Sequence, residues 1–189
     1  MIIALISPKG MGMGDVKLAG LIGLVLGSIG LDVVAVAAGM GILLGGETEP
    51  GDTSPEAGFA RDMSVHHAQA VELAFLVRDR TDDPEVRTMA YDIINTQRAQ
   101  LGMFSGWLQQ WDLPQTSDAA PMAWTDAPHG MDGMGSMEVE SYDDMPGMAS
   151  EADVERLRQA DGVAAEVVFL ELMVEHHTGA IEMATEIQA

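Results

Sequence analysis

The apolar positions fall into three patterns along the chain. From Val16 to Gly46 they run almost without interruption, with Lys17 and Asp32 as the only charges. From Phe59 they recur at intervals of three and four, the period of a helix with one buried face. Between about 115 and 149 no period is kept, and Gly, Met, Pro and Asp dominate. Residues 47–57 are a linker rich in Pro, Gly, Ser and acidic residues. Within it Ser54 before Pro55 is a helix start, Ser as N-cap and Pro at the first helical position. The first helix is predicted from about Pro55 to Arg80. Thr81 to Pro84 breaks it, with Asp82 or Asp83 as the next N-cap. A second helix then runs to about Trp111, its stripe marked by Val86, Met89, Ile93 or Ile94, Gln97, Leu101, Phe104 and Leu108. The short break makes the pair an antiparallel hairpin. Ser150, with Asp153 three residues on, starts another helical stretch to Ala160. After a break at Asp161–Gly162, a final helix runs to the C-terminus. The expected fold is all-α: residues 58–189 form a helical bundle, preceded by an anchor-like segment, residues 1–46.

One helical stretch occurs twice. FARDMSVHHAQAVELA, residues 59–74, and FLELMVEHHTGAIEMA, residues 169–184, lie 110 residues apart and share Phe, Met, His-His, Ala and Glu in register. Self-similarity at a fixed offset means one structural unit used twice. Residues three or four apart on a helix are neighbours, so Met63 sits beside His66 and His67, and Met173 beside His176 and His177. The two rings of a pair point about 100° apart, so that one can face the bundle interior while the other faces its rim. A thioether beside imidazoles, presented by two packed helices, is a candidate site for a soft metal ion: thioethers select Cu(I), and imidazole suits Cu, Zn, Fe and Ni. The alternative is that the pairs are interior polar links, bonded to Glu72, Glu182 or backbone groups. A carboxylate-bridged diiron centre needs Glu-x-x-His on two helices, and neither copy has it.

The loop adds a second candidate. His129, Met131, Met134, Met137, Met145 and Met148 fall within a glycine-rich, acidic stretch in which no stable amphipathic helix is expected. As exposed thioethers they would collect Cu(I) or a similar ion; the other readings are a low-complexity linker and a loop that drapes Met over an apolar groove.

Charge and composition narrow the partners. The net charge is −21, with 9 Lys and Arg against 30 Asp and Glu. That excludes nucleic acid and anionic lipid surfaces as partners and favours cations. There are no cysteines, hence no disulfides and no thiolate metal sites. No nucleophile–base constellation is present, so the chain does not read as an enzyme. The apolar run exceeds the roughly 20 residues that span a bilayer. It is too long for a signal peptide, and Ala35 to Ala37 is only a weak cleavage site. Lys9 and Lys17 place the N-terminus in the cytoplasm. A single span over 16–46 leaves the bulk of the chain outside the membrane; a hairpin keeps it inside.

Two resemblances add to this reading. GMGMGDVKLAGLIGLVLG, Gly10 to Gly27, resembles the Gly-x-Gly-Asp segment of type IV prepilin peptidases, with Gly12, Gly14 and Asp15 as the matching residues. That implies Asp15 as one of two catalytic aspartates, but the partner aspartate and the upstream spans are absent, so the stretch reads as an inactive remnant serving as an anchor. Residues 59–189 resemble the domain of unknown function 305 family, through DMSVHHAQAVELA, LMVEHHTGAIEMA, RTDDPEVRTMAYDII, TQRAQLGMFSGWLQQWDLP and PGMAS. The resemblance implies a ferritin-like four-helix bundle of two hairpins, secreted or envelope-attached, with copper binding in some members. It carries over Met63, His66, His67, Met173, His176 and His177 as candidate ligands. The last helix of that bundle is missing here, and the groove it leaves would favour pairing of two copies.

Overall fold

The computed structural model describes residues 49–125 and 139–187. These form four α-helices: α1, Pro55–Arg78; α2, Pro84–Gln110; α3, Glu151–Gln159; and α4, Val163–Glu186. A single 3-10 turn, Tyr142–Asp144, lies in the connection between α2 and α3. The helix starts follow the predicted capping chemistry. Ser54 accepts the Ala57 N–H, with Pro55 in the first turn. Asp83 accepts from Glu85 and Val86, and Ser150 accepts from Asp153. Each cap satisfies a donor that the first helical turn would otherwise leave orphaned. Asp15 and the 16–46 stretch lie outside the described residues. Among the described residues, no helix is long and apolar enough to cross a membrane.

α1 is the central element, packed most extensively on α2 and also on α4 and α3. The core divides into two apolar clusters. One joins Leu73, Ala74 and Val77 of α1 to Ala90, Ile93 and Ile94 of α2, Leu157 of α3, and Phe169, Leu172 and Met173 of α4. The other joins Phe59, Ala60 and Met63 of α1 to Phe104 and Leu108 of α2, Ala180 and Met183 of α4, and Met122 and Met145. α1 enters the second cluster first, whereas α2 and α4 enter the first cluster first. α1 is therefore antiparallel to both. Burying each of Phe59, Phe104 and Phe169 contributes about 1.5–3 kcal/mol.

At one end the two hairpin turns are tied together. The Thr81 hydroxyl donates to Glu166, the Gly162 N–H to the Arg80 carbonyl, and the Arg80 guanidinium to the Arg158 carbonyl. At the other end the chain between α2 and α3 closes the bundle. Asp62 accepts from the Met122 N–H at 2.7 Å and the Trp124 indole at 2.8 Å. Arg61 donates to the Pro114 carbonyl and to Asp52. Gln69 exchanges two hydrogen bonds with the Ala149 backbone, at 2.7 and 2.9 Å.

The expectation of exposed loop methionines is corrected here. Met145 is buried and Met148 half-buried, and both pack on the second cluster. His129, Met131, Met134 and Met137 lie outside the described residues. The connection also packs on that cluster elsewhere: Met122 and Met145 sit within it, with Trp124 and Val139 against it. Val163, Val167 and Ile181 of α4 remain exposed.

This connection comes close against the bundle at Gly179. A Cβ there would lie 2.1 Å from the Pro146 carbonyl oxygen. Gly147, at φ 77°, lies in turn against the α4 backbone, and a Cβ on it would be 2.6 Å from the Glu175 carbonyl oxygen. Gly102, by contrast, has open space around it on the exposed side of α2. Gly179→Ala is accordingly expected to destabilise by about 1–3 kcal/mol through overpacking. Gly102→Ala should stabilise by about 0.5–1 kcal/mol, as Ala does in a helix interior. Urea unfolding midpoints of the two variants check this. Equal shifts would mean that Pro146 does not press on α4.

Candidate functional site

Between the two apolar clusters lies one polar layer. α1 leaves the second cluster at Met63 and enters the first at Ala70, and His66 and His67 fall between. α4 leaves the first at Met173 and rejoins the second at Ala180, and His176 and His177 fall between. α2 supplies Gln97 and Gln100 at the same level. All four histidines are buried, none more than 3 % exposed. The repeat thus brings its two His-His pairs together. Because α1 and α4 are antiparallel, it sets the two methionines on opposite sides of them, Met63 in the second cluster and Met173 in the first.

The ring geometry is specific. His66 and His176 stack with centroids 3.7 Å apart and planes tilted by 42°. His176 and His177 lie 6.1 Å apart, and His67 packs edge-on to Phe104 at 5.4 Å. Three rings donate an N–H to an oxygen that can only accept. His66 Nε2 donates to the Pro146 carbonyl at 3.1 Å. His67 Nε2 donates to Gln100 Oε1 at 2.8 Å. His177 Nδ1 donates to the Met173 carbonyl one turn back, at 2.7 Å. A neutral imidazole carries one N–H, so each of these bonds leaves the ring's other nitrogen as a lone pair. His67 Nδ1, His176 Nε2 and Gln97 Oε1 are buried with no hydrogen-bond partner among the described residues.

Burial is the main reason these rings stay neutral. It pushes His66 down to about 4, against the pull of the Pro146 carbonyl, and His67 down to about 3, with His66 and His177 adding to the effect. It also holds His176 well below the ordinary value and lowers His177. Burial raises the Asp62 carboxyl, although the Met122 and Trp124 donors partly offset this. Asp62 belongs to a separate place: with Arg61, Trp124 and Tyr142 it lines a surface pocket that no histidine reaches. Among the described residues no three His, Cys, Asp or Glu side chains gather into a metal-binding group.

Gln100 and Pro146 take part in the layer although neither was a candidate in the sequence. For Gln100 there was a signal nearby: a glutamine, Gln97, already interrupted the apolar stripe of its helix. Glu72 and Glu182, considered as partners for the histidines, are exposed, and Glu72 pairs with Arg158 instead.

Comparison with known proteins bears on the same residues. The family described as "Domain of unknown function (DUF305)" matches residues 56–189, and so covers both His-His helices. A solved structure of a candidate secreted DUF305 protein from Streptomyces coelicolor is 51% identical, with a TM-score of 0.60, over 72% of this chain and 74% of that one. A DUF305 fragment from Deinococcus radiodurans is 33% identical, with a TM-score of 0.53, over 68% of this chain and 73% of that one. No curated protein matches. The matched residues span both His-His helices and the connection between them, and the chain belongs to the DUF305 family.

Proposed function

We propose that the histidine layer binds one soft, monovalent metal ion, Cu(I) in the first place, as an extracytoplasmic sequestering site. The observation that carries this is the fixed orientation of three buried, neutral rings. Each gives its single N–H to an oxygen acceptor and keeps its other nitrogen as a lone pair. Metal-binding histidines are held in this way, the second ring nitrogen donating to a carbonyl or similar group. The orphaned nitrogens of His67 and His176 test the fit. A buried acceptor without a donor costs about 1–3 kcal/mol, and a cation removes that cost. The donor set is soft and uncharged: imidazoles, with the Met63 and Met173 thioethers on either side. Metals that require three His or carboxylate ligands fit poorly, since no such group forms among the described residues. A soft ion content with few ligands fits. Copper, when bound, would be held in its reduced state by these donors.

Placement outside the cytoplasm is supported by the candidate secreted relative, and residues 16–46 would serve as the membrane tether. The loop residues His129, Met131, Met134 and Met137 would be an outer collector. The family match begins at residue 56 and does not reach the peptidase-like stretch around Asp15. The competing reading is a helical module whose histidines are purely structural, favoured by the carbonyl partners of three of the four rings.

Titration with Cu(I) against a chromogenic chelator separates the two. The chain is expected to take one tightly held ion, and His67→Gln with His176→Gln should weaken it by more than the roughly 10–100-fold typical of losing an outer-shell partner. Unchanged affinity in that double variant would move the ion to the loop. An absence of binding by the parent would leave the structural reading standing.

Acid stability gives an independent check on the buried rings. Their folded values lie below the unfolded value near 6.5, so the unfolded chain takes up protons first as the pH drops. The stability they allow is complete above about pH 6.5 and declines toward the value of about 4 for His66. Thermal midpoints should fall between pH 7 and pH 5 by more in the parent than in the same double Gln variant. Parallel curves would mean that these rings are not buried in neutral form.

A further inference from the structure

His67 and His177 occupy the same position in the two copies of the repeat, and Met63 and Met173 correspond likewise. Yet the two rings are held differently. His177 gives its Nδ1–H to the Met173 carbonyl on its own helix, at 2.7 Å. The equivalent partner for His67 is the Met63 carbonyl, which lies beside the ring and favours its protonated form. No well-formed hydrogen bond joins it to His67 Nδ1, whereas Nε2 reaches across to α2 and meets Gln100 Oε1 at 2.8 Å. An amide oxygen has no hydrogen to give. Facing it, His67 must carry its proton on Nε2.

We propose that Gln100 is a positioning residue that fixes His67 in the Nε2–H tautomer, the opposite of its repeat mate His177, so that the free lone pair of His67 is on Nδ1. The layer then offers one Nδ1 donor and one Nε2 donor from equivalent positions. The two nitrogens lie at different distances from their backbones, which breaks the repeat's symmetry within the layer. Gln97, one turn earlier on α2 and buried with its own oxygen unpartnered, adds a further acceptor on the same side. The tautomer assignment stands on the hydrogen bonds alone; its consequence for an ion rests on the metal reading above.

The test uses the full chain labelled with 15N-histidine, read by long-range 1H–15N correlation, which distinguishes the tautomers without any metal. The variants are Gln100→Met, of similar size but without an acceptor, and Gln100→Glu, which retains one. His67 is expected as Nε2–H in the parent and in Q100E. In Q100M it should switch to Nδ1–H, donating to the Met63 carbonyl, while His177 stays unchanged in all three. Cu(I) affinity should drop about 10–100-fold in Q100M and recover in Q100E. A parent ring found as Nδ1–H, or a Q100M ring that keeps Nε2–H, overturns the proposal. If the nitrogen signals move as stated while no protein binds Cu(I), Gln100 keeps its role and the metal reading falls.

Discussion

Everything in this bundle accommodates four imidazoles buried in a layer between two apolar clusters. Such a layer is costly. Each ring loses its water, and each unpaired nitrogen keeps a desolvation cost that apolar neighbours cannot offset. The bundle meets part of that cost with oxygens borrowed from three sources: the helix's own backbone for His177, a side chain of α2 for His67, and the connecting segment for His66. What it leaves unmet, at His67 Nδ1, His176 Nε2 and Gln97 Oε1, is concentrated in the same layer. A core selected only for stability would replace such groups with leucine.

The connecting segment explains several otherwise odd residues. Pro146, whose ring fixes its own backbone turn, supplies the carbonyl that accepts from His66. Gly147 and Gly179 let two backbones come nearly into contact. Gln69, the repeat partner of Gly179, clamps the same segment two residues before α3 begins. The two copies of the repeat thus diverge at this position for a single purpose: one copy grips the segment and the other makes room for it.

Much of this was legible in the sequence, because it depends on local rules. Ser54, Asp83 and Ser150 announce helix starts through short-range hydrogen bonds, and the His-His repeat announces two helices facing one another. What the sequence could not show depends on contacts between distant residues. Nothing about Gln100 distinguishes it from any exposed glutamine until α2 is laid beside α1. Met145 sits among glycines and aspartates and reads as exposed; it is buried because the segment is pulled down by Asp62, Gln69 and His66 together. Glu72 and Glu182 looked available to the histidines by spacing, but the helices turn them to the solvent face.

The two ends of the bundle are closed by different means. At the hairpin end, hydrogen bonds from Thr81, Arg80 and Gly162 lock turn to turn across the molecule. At the other end the closure is a draped segment held by four side chains of α1, Arg61, Asp62, His66 and Gln69. The bundle is therefore built like a pair of tweezers, joined turn to turn at one end and held by a clasp at the other. His66 is the one ring of the four whose acceptor belongs to that segment, so its hydrogen bond depends on the clasp staying closed.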